Sequence, residues 1–190
     1  MKKHASETGR PRDERVTVAL LEAALVELAE RGYEGTTISR LAARTRTSKQ
    51  AVYRRWPDKA ALVVAAVEHA LASANPDAPQ RGSVARDLRH CLINTSKTFQ
   101  ETPLGNAIRA LTPYRNIPEL DATLSAMEDE RRLLLRQIFI ATPFEVDMET
   151  RIDLLLGLIY FKLHIRGTSV TEQDIETAIN LVLGLIAPRS

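Results

Sequence analysis

The sequence predicts an all-α protein of about nine helices, and three observations carry that reading. The chain of 190 residues is 44% apolar yet only 5% aromatic, a balance that suits aliphatic helix packing better than a sandwich or barrel. Apolar residues recur every three or four positions through most of the chain, punctuated by Gly and Pro. No stretch alternates apolar and polar residues as a half-buried strand would.

From Asp13 to Arg31, Val16, Leu20, Leu21, Ala24, Leu25 and Leu28 fall at helical spacing, with Asp13 as N-cap and Gly32 as the stop. After a break at residues 33–36, Thr36 or Thr37 caps a short helix that carries Ile38, Leu41 and Ala42 inward. Only about two turns fit before the polar run Thr45-Arg46-Thr47. A third helix of similar length starts near Thr47 or Ser48 and carries Ala51, Val52 and Tyr53. It ends before Pro57, whose ring restricts Trp56. Asp58 caps a fourth helix that runs to about Ser73, with Leu62, Val63, Ala66, Val67 and Leu71 on one side. The turn signal Asn75-Pro-Asp-Ala-Pro is the expected module boundary.

Beyond it, Val84, Leu88, Leu92 and Phe99 mark a helix ending before Pro103, and a short one spans 104–112. Residues 117–141 read as a long helix with Leu120, Leu124, Met127, Leu134 and Ile138 on a shared face. The segment 145–167 contains LLLGLIYF, which is apolar all round and has to be covered on every side. Thr171 with Asp174 forms a capping box for the last helix, whose stripe runs Ile175, Ala178, Ile179, Val182, Leu183 and Ile186 before Pro188. Two such helices exceed what a chain of this size needs for its own core. A homodimer interface through Leu155, Ile159, Ile175, Ile179, Val182 and Ile186 is the expectation, with a buried monomeric core as the alternative.

Cys91 is the single cysteine, so no intramolecular disulfide forms and no thiolate cluster can hold a metal. The first fifteen residues are polar, and no run of eighteen apolar residues lacks a charge, so the sequence reads as a cytoplasmic, soluble protein with no membrane partner. The net charge of +2 conceals an uneven distribution. Residues 36–59 hold seven Lys/Arg against one Asp. A cationic stretch of this kind suits a polyanionic partner, and by charge density alone it equally suits a solvated helix face.

Two helices of about two turns joined by a tight turn, with a long helix on either side, make a helix-turn-helix arrangement. A 3.6-residue period lets Val52 and Tyr53 pack inward while Lys49, Gln50 and Arg54 point toward a groove. The residues Gly32-Tyr33, Thr36-Thr37-Ile38, Leu41-Ala42, Ser48-Lys49, Val52-Tyr53, Trp56, and Lys59 with Leu62 stand at specific spacings. Over about residues 12–62 they resemble the DNA-binding domain of the tetracycline-repressor (TetR/AcrR) family of bacterial regulators. The rest of the chain resembles that family in helix pattern alone. Three positions depart from it: Arg46 stands where the turn usually has glycine, Gln50 where a small residue follows Ser48-Lys49, and Arg55 where histidine is common. A left-handed Arg46 costs about 1–2 kcal/mol.

The resemblance implies a DNA-contacting set of Thr36, Thr37, Arg46, Thr47, Ser48, Lys49, Gln50, Tyr53, Arg54, Arg55 and Lys59. Thr37 at a helix N-terminus, the Tyr53 hydroxyl and Lys59 suit phosphates. Gln50 suits adenine or Arg54 guanine, each bidentate pair giving about 1–3 kcal/mol of discrimination. Arg40, Arg44 and Arg55 read as backbone clamps, Arg44 equally as a solvated face, Tyr53 as half core and Trp56 as core. Gly9-Arg10-Pro11-Arg12 has the form of a minor-groove arm, a pattern that also arises by chance.

The implied organisation is an arm over residues 1–12, a helix-turn-helix domain over 13–73 that includes the start of a connecting helix at 58–73, and a helical effector-binding and dimerisation domain over 80–190. Its function would be that of a ligand-responsive repressor, binding a palindromic double-stranded operator as a dimer and released by a small-molecule effector. Phe99, Leu111, Tyr114, Met127, Leu134, Tyr160 and His164 are candidate pocket residues, each also readable as ordinary core, and Arg109 and Arg115 suit an acidic ligand. No cofactor, metal site or catalytic residue is expected. A sequence-indifferent DNA-coating protein is the alternative, and a metal-binding helical enzyme a remote one. A di-iron bundle needs two Glu-x-x-His motifs, and only Asp87-x-x-His90 is present.

Overall fold

The computed structural model describes residues 10–74 and 82–184, with side chains from Asp13 onward. Among these residues it is helical without strands, as the sequence predicts. Two compact units form. One joins the described residues up to Ser73 with 106–123, and the other joins 74–105 with 124–184. Residues 106–123, expected in the C-terminal domain, thus group with the first unit, where the Tyr114 ring meets that of Tyr33 in a tilted arrangement at 4.7 Å between centroids.

In the first unit α1 (Arg10–Gly35) leads. Gly32 interrupts it at φ 70°, ψ 178°, a conformation open to glycine at no steric cost, so the regular helix ends where the sequence placed its stop. Thr37 caps α2 (Ile38–Arg44) by accepting from the Arg40 N–H, and Ser48 caps α3 (Lys49–Tyr53) by accepting from Ala51. Asp58 accepts from Ala61 N–H at 2.8 Å and starts α4 (Lys59–Ala74). Leu20, Ala24, Leu41, Val52 and Leu62 form a core between these helices, with Trp56 packed against it. Each short helix contributes few apolar residues, so α2 and α3 depend on α1 and α4 for their stability.

The second unit begins with α5 (Val84–Glu101), capped by Ser83. It takes in the start of α6 (Pro103–Leu111), which continues into the first unit and ends in a 3₁₀ turn at Thr112–Tyr114. Its Gly105 lies so close to the α5 terminus that a Cβ there would meet the Phe99 carbonyl oxygen at 2.1 Å. α7 (Pro118–Phe139) starts in the first unit and carries Leu124, Met127, Leu135 and Ile138 into the second. α8 (Met148–Tyr160) gives way to a π-helical turn, Phe161–Arg166, that periodicity did not reveal, and Gly167 closes it at φ 63°.

α9 (Glu172–Val182) opens with the expected Thr171–Asp174 capping box and is followed by a left-handed Gly184, while the predicted end near Pro188 lies outside the described residues. It packs on α5 and α8. The Gln100 side chain pairs with both backbone groups of Val170, donating to its carbonyl at 3.3 Å and accepting from its N–H at 2.7 Å.

Candidate nucleic-acid interface

The turn between α2 and α3 is a Schellman motif. The Thr47 N–H donates to Ala42 O at 2.9 Å and the Arg46 N–H to Ala43 O at 3.2 Å, which satisfies carbonyls at the α2 terminus. Its geometry requires the residue after the C-cap to be left-handed, and Arg46 takes that position at φ 53°. A residue with a Cβ therefore carries strain of about 1–2 kcal/mol where glycine would carry little.

This turn sets the direction of α3. Val52 is fully buried in the head core, so the opposite side of the helix is presented to solvent. Ser48, Lys49, Gln50, Tyr53 and Arg54 are exposed there, together with Thr37 and Arg40 from α2 and Arg46 from the turn, while Thr47 is half-buried. Tyr53, expected half in the core, is 52% exposed. Arg54 comes no closer than 3.9 Å to Asp13, and both side chains are mostly exposed. These groups supply cations, a bidentate amide and a phenol on one short helix, the mixture that phosphate contact and base readout require.

Three residues of the expected contact set, Thr36, Arg55 and Lys59, and the clamp candidate Arg44 have partners within the chain. Thr36 is fully buried and donates its hydroxyl to Gly32 O at 2.9 Å, so it finishes α1 and offers nothing to a phosphate. Arg55 bonds Asp13, Thr17 and the Ala51 carbonyl, tying α3 to α1. Lys59 donates to Tyr33 O at 3.0 Å, lies 3.9 Å from the Tyr33 ring centroid and pairs with Glu34 at 3.5 Å. Burial, with Glu34 adding to it, raises the Tyr33 phenol above its ordinary value, so the ring stays neutral beneath that cation. Arg44 pairs with Glu27 at 2.9 Å.

Glu27 is 5% exposed and also meets Arg31 at 3.1 Å, making it the acidic anchor of this surface. The Glu27–Arg31 spacing of four was visible in the sequence, whereas the Arg44 partner depends on how α2 crosses α1. Arg10 and Arg12 of the suggested arm lack described side chains, so that expectation lies outside the described residues.

In the second unit the structure brings together three of the expected pocket residues. The Phe99 ring lies 5.9 Å from Tyr160 and 6.1 Å from His164, and Tyr160 stacks on His164 at 5.7 Å. The Arg131 guanidinium covers Phe99 at 4.2 Å, and Tyr160 Oη donates to Glu128 at 2.7 Å. Burial pushes the Tyr160 phenol up to about 12 and the Cys91 thiol up to about 11, with Arg131 opposing both shifts. Met127 is buried and Leu134 half-buried. Leu111 and Tyr114 belong to the first unit, and Arg115 pairs with Asp121.

The expected interface residues need correction. Leu155, Ile159, Ile175 and Ile179 are each 1% exposed and Val182 is 7% exposed, because α5, α8 and α9 bury them within the same chain, and Ile186 lies outside the described residues. On α8, the π-helical turn after it and α9, the large apolar side chains left in solvent are Leu154, Phe161, Ile165 and Leu181. Leu154, Gly157, Leu158, Phe161 and Ile165 repeat at intervals of three and four, a stripe on the face of α8 opposite its buried one.

A short, polar-faced helix following a tight turn on a small helical head defines a helix-turn-helix DNA-binding protein with a second helical region attached. Two family profiles match the chain: bacterial regulatory proteins of the tetR family over residues 20–66, and the tetracyclin repressor-like C-terminal domain over residues 78–182. The chain is 29% identical over 178 residues to YdeS, an uncharacterised HTH-type transcriptional regulator of Bacillus subtilis strain 168, covering 88% of this chain and 87% of the relative. Over 77 residues it is 38% identical to the DNA-binding transcriptional repressor TetR of Mycobacteroides abscessus, 40% of each chain. Its fold is similar to that of AibR, solved in complex with isovaleryl coenzyme A and operator DNA, at a TM-score of 0.63 and 20% identity over 90% of this chain and 97% of the other. The chain belongs to the tetR family of bacterial regulatory proteins, and it is a DNA-binding transcriptional regulator rather than an enzyme. Among the described residues no helix is long and apolar enough to cross a membrane.

Proposed function

We propose that the chain is a repressor that binds a two-fold-symmetric operator as a homodimer and is released by a small-molecule effector held in its second unit. The observation that carries this reading is the outward face of α3, where Lys49, Gln50, Tyr53 and Arg54 stand together while Val52 fixes the opposite face in the core. Gln50 reads a base edge; Lys49, Arg46, Thr37 and Tyr53 hold phosphates. The second copy docks through Leu154, Phe161, Ile165 and Leu181, a stripe that Gly157 lets approach closely. Repression is consistent with the head-region likeness to a named repressor, and the AibR complex supports a second, small-molecule input. Effector and operator then favour different dimer geometries, so each lowers the affinity of the other by the same factor.

The test is fluorescence anisotropy on DNA from immediately upstream of the chain's own gene, with scrambled duplex as competitor, across a salt series. Binding that survives competitor at physiological salt is the expected result. Equal affinity for both duplexes, vanishing with salt, would mean phosphate neutralisation without site recognition and would overturn the reading.

A further inference from the structure

The inward row of α1 runs Leu20, Ala24, Glu27 and Leu28, so a position that helical periodicity would give to an apolar residue carries a carboxylate. Its two oxygens are held differently. Glu27 Oε1 accepts from Arg44 Nη1 at 2.9 Å, a charge-assisted hydrogen bond, whereas Oε2 lies 3.1 Å from Arg31 Nε without the alignment of one. Arg31 stands four residues along the same helix and ties α1 only to itself. Arg44 is the directional tie from α1 to α2.

Stability alone does not call for charges here. Apolar residues of similar volume often match or exceed a buried pair of this kind in stability, and what the pair adds is fixed geometry. The other residues that α2 sets into the head core, Ile38, Leu41 and Ala42, make non-directional contacts that tolerate a small slide or rotation. Arg44 is the last residue of α2, one place before the Thr45 C-cap and two before the left-handed Arg46. Fixing Arg44 on α1 therefore fixes the entry to the turn, and the turn directs α3. A helix of five residues has no means of holding a direction by itself. A binding constellation has to be kept within about 0.5 Å of its working geometry.

We infer that Glu27 is a positioning residue for DNA recognition: its buried carboxylate locks the end of α2 onto α1 and so keeps Lys49, Gln50 and Arg54 at one angle to the groove. Arg44 turns its guanidinium inward to Glu27 and acts through the turn, not on a phosphate. This role deepens the reading proposed for α3 and rests on it. Its signature is a loss of discrimination between duplexes without a loss of stability or of general affinity.

The test compares the wild type, Glu27→Gln, and Glu27→Leu combined with Arg44→Met, each as the full chain. Three quantities are measured: Tm, anisotropy on the upstream and scrambled duplexes across a salt series, and amide chemical shifts of residues 49–54 without DNA. The paired apolar variant should melt within a few degrees of wild type and lose about tenfold or more of its preference for the upstream duplex, with its salt slope and its affinity for scrambled duplex unchanged. Glu27→Gln replaces the charge-assisted bond by a weaker neutral one and should lose about threefold, and it decides the matter should the paired variant fold poorly. Amides of residues 49–54 should move in both variants. Wild-type preference in a folded variant would overturn the inference. A salt slope lower by about one per head in the paired variant would also overturn it, by making Arg44 a direct phosphate contact. A wild type that does not itself discriminate would count against the proposed function instead; the amide shifts then judge Glu27, and unmoved amides in both variants would overturn its positioning role.

Discussion

Arg46 combines backbone strain with an exposed cation that the proposed reading places on a phosphate. The Schellman turn holds it left-handed, and Arg46→Gly should relieve that strain, raising stability by about 1 kcal/mol and Tm by a few degrees in a thermal melt. The same change removes an exposed cation, so operator affinity should fall as stability rises. Asp174 offers a second test. Lys162, then the Thr171 backbone and hydroxyl, hold its carboxyl down to about 2. A carboxylate lowered in the folded state contributes stability that is complete above its unfolded value near ~4 and is lost as pH falls toward 2. Asp174→Asn should therefore destabilise by about 1 kcal/mol at pH 7, and denaturant titrations at descending pH should show the wild type and variant converging.

At the scale of elements, α8 has two apolar faces with opposite duties. Ile152, Leu155, Leu156 and Ile159 belong to the chain's own core, and Leu154, Phe161 and Ile165 stand in solvent. Leu154→Glu with Ile165→Glu should yield a folded monomer in sedimentation velocity, with the circular dichroism spectrum unchanged. Ile179→Asp should instead unfold the second unit, because it buries an unpaired charge against α5 and α8. Two monomeric, well-folded variants would mean that the α9 stripe faces a partner after all. The turn from α5 into α6 allows a sharper steric test: Gly105→Ala drives a methyl into the Phe99 carbonyl and should cost about 2 kcal/mol or more, read from the urea midpoint.

For the whole molecule, the proposed recognition and the folding draw on separate side chains of the same short helices. Lys49→Ala and Tyr53→Ala remove exposed groups, so each should weaken operator binding about tenfold or more while dimer mass and Tm stay at wild-type values. Lys49→Ala should also reduce the salt slope by about one per reading head, whereas Gln50→Ala should relax preference at one base position per half-site. Arg55→Ala should behave in the opposite manner, lowering Tm because it unties α3 from Asp13 and Thr17.

The sequence by itself determined the helical class, the positions of α1 to α4 and the caps at Asp58 and Thr171, and it narrowed the caps of α2 and α3 to adjacent pairs from which the structure selects Thr37 and Ser48, because capping and periodicity are local properties of neighbouring residues. It also determined that Val52 lies inward and that Lys49 and Gln50 lie outward. Tertiary structure decided what periodicity cannot carry. Arg44, Arg55 and Lys59 resemble free cations in sequence, and only the packing of α2, α3 and α4 on α1 gives them Glu27, Asp13 and Tyr33 as partners. A helix that is apolar all round has no face marked for self or partner, so packing on α5 and α9 alone could assign Leu155 to the core and Leu154 to the surface.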